Sequence, residues 1–357
     1  MRRQQTANLL SLVREHQNKN DSSDIYFSLS TCVNILLGTE PDSVFTLSFG
    51  DPTELPEGVI HRHVKSKTAY DFLSFQPFVL DTLLISVKTG AVVDTFGALA
   101  DISGRVIRAS CDPMELMERI PVLSVRAAAL MSETGFSISE ELELAIRNNA
   151  HRIANAPGSH IWREFKRVLR AEKPSIGIEF LRITGILDII LPELVNCYGV
   201  EQNQKYHKYT VYKHLLEACD ACVRDNVIIR FSALVHDIGK PDTKGFGANG
   251  ITFHKHEVVG TKMCRKIVQR FDLGKSDAML LLSLVSNHMY QYDRVWKDST
   301  VRRFIRRVGL TKEYIGRMDE FPLFQLRYAD RMGRGLPPNT SKQQDFEDRL
   351  TQVLEAM

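Results

Sequence analysis

The amino-acid sequence predicts an α+β protein in which a small β/α head precedes a long, mainly helical part. Three observations carry that class. Short β-type runs separated by turn signals occupy about residues 1 to 110. From Asp112 onward, apolar residues recur at spacings of three and four, the period of a helix with one buried face. Gly or Pro marks the breaks between those helices, at Gly135, Pro157-Gly158, Pro174 and Pro192. The boundaries expected are a head at 1–110, a helical neck at 111–200 and an all-α domain at 201–357.

Taken in order, "ANLLSLVREH" reads as an amphipathic helix and "HQNKNDSSD" as a mobile polar loop. "SVFTLSF", "TLLISVKTGAVVDTF" and "GRVIRAS" read as strands, with Thr89-Gly90 turning a hairpin. Composition supports a real core: 43% of the 357 residues are hydrophobic and 25% are charged, enough for two or three domains. A net charge of +3 is too small for the whole molecule to attract nucleic acid, so such binding needs local basic patches. Six cysteines are scattered without a secretory signal, which predicts free thiols in a reducing compartment. Cys219 and Cys222 fall inside a helical pattern and read as buried small side chains. The apolar runs are too short or too interrupted to span a bilayer, so no membrane partner is expected and the location expected is the cytoplasm.

The informative stretch is "ALVHDIGKP", where an apolar helical run ends in His236 and Asp237. Two hydrophilic side chains at the end of a buried segment need compensation, and a divalent metal uses both types. Further candidates come from separate helical segments: His214 in "YTVYKHLLEACDAC", His256 in "FHKHEVVG", His288 in "LLSLVSNHMY" and Asp330 in "RYADRMGRG". Facing helices of a bundle supply metal ligands in this way. Imidazoles hold first-row divalent ions, and a carboxylate can bridge two ions about 3.5–4 Å apart, an arrangement that polarises phosphoryl groups and activates water. Asp237 is the expected bridge, with His214, His236 and Asp330 on one ion and His256 and His288 on the other. His254 is left open, because it lies two residues from His256 and the two side chains could point apart.

Together these residues resemble the HD superfamily of metal-dependent phosphohydrolases. The fuller pattern "HDIGKP…FHKHEVVG…SNHM…ADRMGRG" is similar to the HD region attached to bacterial tRNA nucleotidyltransferases, the CCA-adding and poly(A) polymerase-like family. The resemblance covers about residues 28 to 335 and implies hydrolysis of a phosphoester on a nucleotide or RNA end, tRNA included. Asp237, Lys240 and His256 are the expected catalytic residues. Lys240, Arg331 and Arg334 are the expected phosphate contacts. Two transition-metal ions (Mn, Fe, Ni or Co, with Mg also admissible) are the expected cofactor.

The head departs from that family. Where the family has Gly-Gly, Arg-Asp and two metal-binding carboxylates, the chain has Ser30-Thr31, Asn34-Ile35, and Ser43 with Phe45. A phenyl ring cannot ligate magnesium. The basic-basic-acidic triplet reads Gln76-Pro77-Phe78, and Arg126 alone survives of the neck's paired arginines. Ser159-His160 stand where the family selects its base. Asp42, Asp51, Asp71 and Asp81 are carboxylates without a paired spacing. The expectation is a degenerate nucleotidyltransferase-like head joined to an intact HD hydrolase.

Basic stripes suggest RNA contact by Arg126, by Arg163 and Arg167 in "WREFKRVLRAEK", and by Arg303 and Arg307 in "VRRFIRRVG". In the last, Val301, Phe304, Ile305 and Val308 are expected to face the core. Two other readings stand beside the hydrolase: a catalytically silent RNA-binding or regulatory protein with a structural metal, and residual tRNA nucleotidyl transfer.

Overall fold

The computed structural model describes residues 10–357 apart from 16, 18–22, 29, 39–43, 51–54, 56, 58, 65–68, 249, 291–295 and 336–340. The expected polar loop therefore falls mostly outside the described residues, as do Asp42, Ser43 and Asp51. Two compact units form, Met1–Ala156 with Glu179–Ile186, and Pro157–Ile178 with Leu187–Met357. The segment expected as one neck is thus shared between two cores.

In the first unit, five strands run in the order β3-β2-β1-β4-β5: β1 (Ser23–Ser28), β2 (Phe45–Gly50), β3 (Ile60–Val64), β4 (Leu84–Ser86) and β5 (Val92–Val93). Central β1 is antiparallel to β2 and β4, while β2 and β3 are parallel. The expected hairpin closes with the Gly90 N–H donating to the Ser86 carbonyl at 2.9 Å, and Gly90 adopts φ 72°. Period-two alternation separates the faces of β2. Leu47 joins Val64, Leu73 and Leu84 in an apolar cluster. On the other face, buried Thr46 and Ser48 bond the imidazoles of His61 and His63 on β3, at 2.9–3.3 Å. Helix α1 (Ser30–Leu37) buries Thr31, Cys32 and Val33, and α2 (Leu123–Thr134) buries most of its length. The expected strand in "GRVIRAS" is β6 (Val106–Ile107), paired in parallel with β7 (Ser137–Ile138).

The second unit is helical around one axis. Helix α5 (Val227–Val235) is buried at all nine positions and is capped by Asn226, whose side chain accepts from the Ile228 and Ile229 N–H groups. Around it pack α3 (Gly158–Arg170), α4 (Val211–Ala221), α7 (Lys275–Asn287) and α9 (Pro322–Met332). Trp162, Phe165, Phe231 and Phe271 interlock on one side. Arg230, 1% exposed, donates five hydrogen bonds to the carbonyls of Leu169, Ala171, Glu172, Cys219 and Asp220. These carbonyls lie at the ends of α3 and α4, where helices leave oxygens unpaired and carry partial negative charge. One guanidinium therefore ties two helix ends to the axis.

Helix α6 (His256–Arg270) packs on α7, and a hairpin of β8 (Lys244–Gly247) and β9 (Gly250–Phe253) precedes it. In α8 (Asp298–Val308), Val301, Phe304 and Ile305 are buried and Val308 packs against the same core, as the spacing requires. Cys219 and Cys222 are buried free thiols, as expected. No helix among the described residues is long and apolar enough to cross a membrane.

Candidate metal centre

Because α5 is surrounded on every side, its C-terminal end delivers His236 and Asp237 into the interior, where they are 1% and 3% exposed. The helices packed on α5 bring the other groups: α4 carries His214, α9 carries Asp330, and His288 ends α7. His256 opens α6, one helix further out. Two glycines allow the close approach. A Cβ on Gly239 of "HDIGKP" would overlap the His256 carbonyl, and one on Gly333 of "ADRMGRG" would come within 2.8 Å of Ala218 and 2.9 Å of the His214 carbonyl oxygen.

All six expected ligands converge. His214 Nε2 and His236 Nε2 lie 3.2 Å apart and 3.4 and 3.3 Å from Asp237 Oδ2, with Asp330 Oδ1 3.5 and 3.8 Å away. The other carboxylate oxygen, Asp237 Oδ1, lies 3.0 Å from His256 Nε2 and 3.5 Å from His288 Nε2, themselves 3.2 Å apart. Asp237 thus belongs to both groups that could hold an ion, one with His214 and His236 and one with His256 and His288. Ligand atoms about 2.1 Å from one ion stand roughly 3.0–3.4 Å from each other, so the spacings fit.

The tautomers fit as well. Nδ1 of His236, His256 and His288 each faces a backbone carbonyl, of Ala233, Phe253 and Val285, at 2.7–2.9 Å. An N–H donated there leaves the Nε2 lone pair for the centre. Nδ1 of His214 has no partner among the described residues.

Charge is balanced around the ligands. Burial would raise the Asp237 carboxyl, but Lys240 and His236 outweigh it and hold it well below the usual range. Burial is likewise overcome at Asp330, chiefly by Arg334 and Arg327. Lys240 Nζ is 2.6 Å from Asp237 Oδ2 and donates to Gln202 Oε1 at 2.6 Å. Burial drives the His214 and His288 imidazoles down, while Asp237 overcomes burial at His256 and raises it.

A cavity of about 280 Å³ opens onto this group, lined by Lys240, His254 and Arg334 among others. His254, left open by the sequence, lines the cavity but belongs to neither ligand group. Arg331, expected as a phosphate contact, is buried and does not line it. One residue along a helix turns the side chain by about 100°, whereas Arg334 is four along from Asp330 and shares its side. Arg334 Nη2 donates to Asp330 Oδ2 at 3.0 Å, and Arg327, three residues before, donates to the same oxygen at 2.9 Å. Sequence reading missed Arg327, Gln202 and His207. Burial first and Lys240 second push the His207 imidazole down to about 3, and the ring meets His214 edge-on.

The residues expected to touch RNA divide. Arg163 and Arg167 pair with buried Glu164 at 3.1 and 3.5 Å. Arg303 and Arg307 are exposed, with Arg307 over the Phe304 ring. Arg126 is bound to buried Asp81 at 2.7 Å in a head cavity of about 240 Å³, which Phe45 and Gln76 also line.

Comparison with known proteins fits this geometry. Residues 205–323 match the HD domain, and residues 135–197 match the probable RNA and SrmB-binding site of polymerase A. Asp330 lies just beyond the matched part of that domain. An A-adding tRNA nucleotidyltransferase of Deinococcus radiodurans is 27% identical over 69% of this chain and 60% of its own length. A multifunctional CCA protein of Methylobacillus flagellatus is 29% identical over 69% and 59%. The chain therefore spans about three-fifths of these relatives. In fold, it superposes on the Bacillus stearothermophilus CCA-adding enzyme solved with CTP, with TM-score 0.62 and 15% identity over 100% of this chain and 83% of the other.

Proposed function

We propose that the HD domain of this chain is a metal-dependent phosphohydrolase acting on a nucleotide or an RNA 3′ end, tRNA included, and that the head is inactive as a nucleotidyltransferase. The observation that carries the reading is Asp237, whose two oxygens each face a separate pair of imidazole nitrogens. His214, His236 and Asp330 would hold one ion with Asp237, and His256 and His288 a second. Mn, Fe, Ni or Co suits these nitrogen-rich sets better than Mg. A divalent ion supplies Lewis acidity toward a phosphoryl group and acidifies water.

The chain's own groups do the rest. Lys240 orients Asp237 and, with Arg334, sets positive charge at the cavity wall where phosphate oxygens would lie. His256, the residue nearest to Asp237 Oδ1, would act by holding the second ion, since its Nδ1 faces the Phe253 carbonyl and leaves the Nε2 lone pair for the metal. For RNA, Arg303 and Arg307 are the open cations, while Arg126, Arg163 and Arg167 are already engaged by carboxylates. The inactive head is supported by Asn34, Phe45 and Gln76 standing where the family carries charge.

The test is hydrolysis by the purified chain, with each metal, of 2′,3′-cyclic nucleotides, mononucleotides, dinucleotides, cyclic dinucleotides and tRNA ends, beside Asp237→Ala. Turnover lost in the variant is expected; turnover retained sinks the assignment. A second reading, residual nucleotidyl transfer, is favoured by the names of the relatives, and extension of tRNA with labelled CTP or ATP reads it directly.

A further inference from the structure

Two arms frame the mouth of the cavity beside the candidate metal centre, and they share a composition. One is the loop "KYHKY", where Tyr206 lines the cavity yet is 51% exposed and Lys205 Nζ stands 5.6 Å over its ring. The other is the β8–β9 hairpin. Residues opposed in an antiparallel pair share a face of the sheet. Phe246 opposes Ile251 and Lys244 opposes Phe253, and both Ile251 and Phe253 line the cavity. Lys244 and Phe246 do not line the cavity themselves but stand on the same face of the hairpin, beside Phe253 and Ile251, with Phe246 82% exposed. The arms meet where a Cβ on Gly250 would stand 3.3 Å from Asn203 Nδ2.

A lone exposed aromatic is ordinary. Here two exposed aromatic rings, each with a lysine on its own arm, flank one opening. The cavity behind them, about 280 Å³, sits at the small end of ligand sites, roughly 300–1,000 Å³, which leaves room for one terminal nucleotide. Aromatic rings with interleaved cations are how proteins hold single strands without reading sequence.

We propose that this mouth grips the nucleotide preceding the terminal one, so that the site selects the end of a single-stranded nucleic acid over a free mononucleotide. Phe246 and Tyr206 stack bases, and Lys244 and Lys205 hold the phosphate between them. The proposal rests on the phosphoester reading of the metal centre.

The test is anisotropy with the full chain in EDTA, using a 5′-labelled pentaribonucleotide ending in a 3′-phosphate, with a nucleoside 3′-monophosphate as competitor. The pentamer is expected to bind roughly tenfold or more tighter. Phe246→Ala is expected to reduce that ratio by roughly tenfold and Phe246→Trp to keep it. Lys244→Ala lowers the slope of log affinity against log salt by about one. Equal affinities in the wild type, or a ratio that Phe246→Ala leaves intact, overturns the grip. Hydrolysis followed in parallel with Mn²⁺ separates the two ideas. Binding that depends on Phe246 without turnover supports the grip and overturns the hydrolase reading, whereas turnover without Phe246 dependence overturns the grip alone.

Discussion

The two cavities are close in size, about 240 Å³ in the head and 280 Å³ beside His236 and Asp237, and each holds a buried aspartate. What faces the carboxylate separates them. Asp81 is met by the Arg126 guanidinium, which neutralises it and offers no lone pair. Asp237 also meets a cation, the Lys240 ammonium, but four imidazole nitrogens face it as well, three of them with the other nitrogen tied to a carbonyl. A buried acid alone therefore says little about chemistry. The donor set around it separates a closed ion pair from a candidate metal centre.

The largest expected effect tests the frame of the metal centre. Arg230→Met leaves five carbonyls at two helix ends without their donor, and should cost about 3–5 kcal/mol. The urea midpoint of the second unit, followed through the fluorescence of its two tryptophans, Trp162 and Trp296, is the readout. Next comes the metal itself. Mn²⁺ at one hundred times its Kd should stabilise the chain by about 2.7 kcal/mol for each ion held, reversed by EDTA and absent in Asp237→Ala.

Orientation of the shared carboxylate is a smaller effect. Lys240→Met removes the ammonium held on Asp237, and metal affinity should fall roughly 10- to 100-fold by calorimetry. Asp81→Asn, which disturbs the closed pair, should leave metal affinity at the wild-type value; a comparable fall would erase the contrast between the cavities. Smallest, Arg303→Ala and Arg307→Ala should each lower the salt slope of tRNA binding by about one.

Much of the candidate centre was legible because the residues that converge there sit in local patterns. The apolar run before His236-Asp237 announced a buried helix end, and His214, His288 and Asp330 each lie on or end a helix whose period marks an inward face. The hairpin at Thr89-Gly90 was equally local. What escaped notice depends on distant pairing. Arg230 looks like any polar residue in an apolar helix until α3 and α4 end beside it. Gln202 and His207 belong to a loop with no period, and only the fold sets them against Lys240 and His214. Arg163 and Arg167 read as a basic face because the spacing could not reveal that Glu164 turns inward to both. The division of the 111–200 segment is of the same kind, since Glu179–Ile186 returns to the first unit.

The most direct test of two sites joined by one carboxylate is the number of Mn²⁺ ions held per chain, measured by equilibrium dialysis with elemental analysis. The account predicts two ions for the wild type, one each for His214→Ala and His288→Ala, and loss of both in Asp237→Ala. A single ion in the wild type, or two that survive Asp237→Ala, contradicts it.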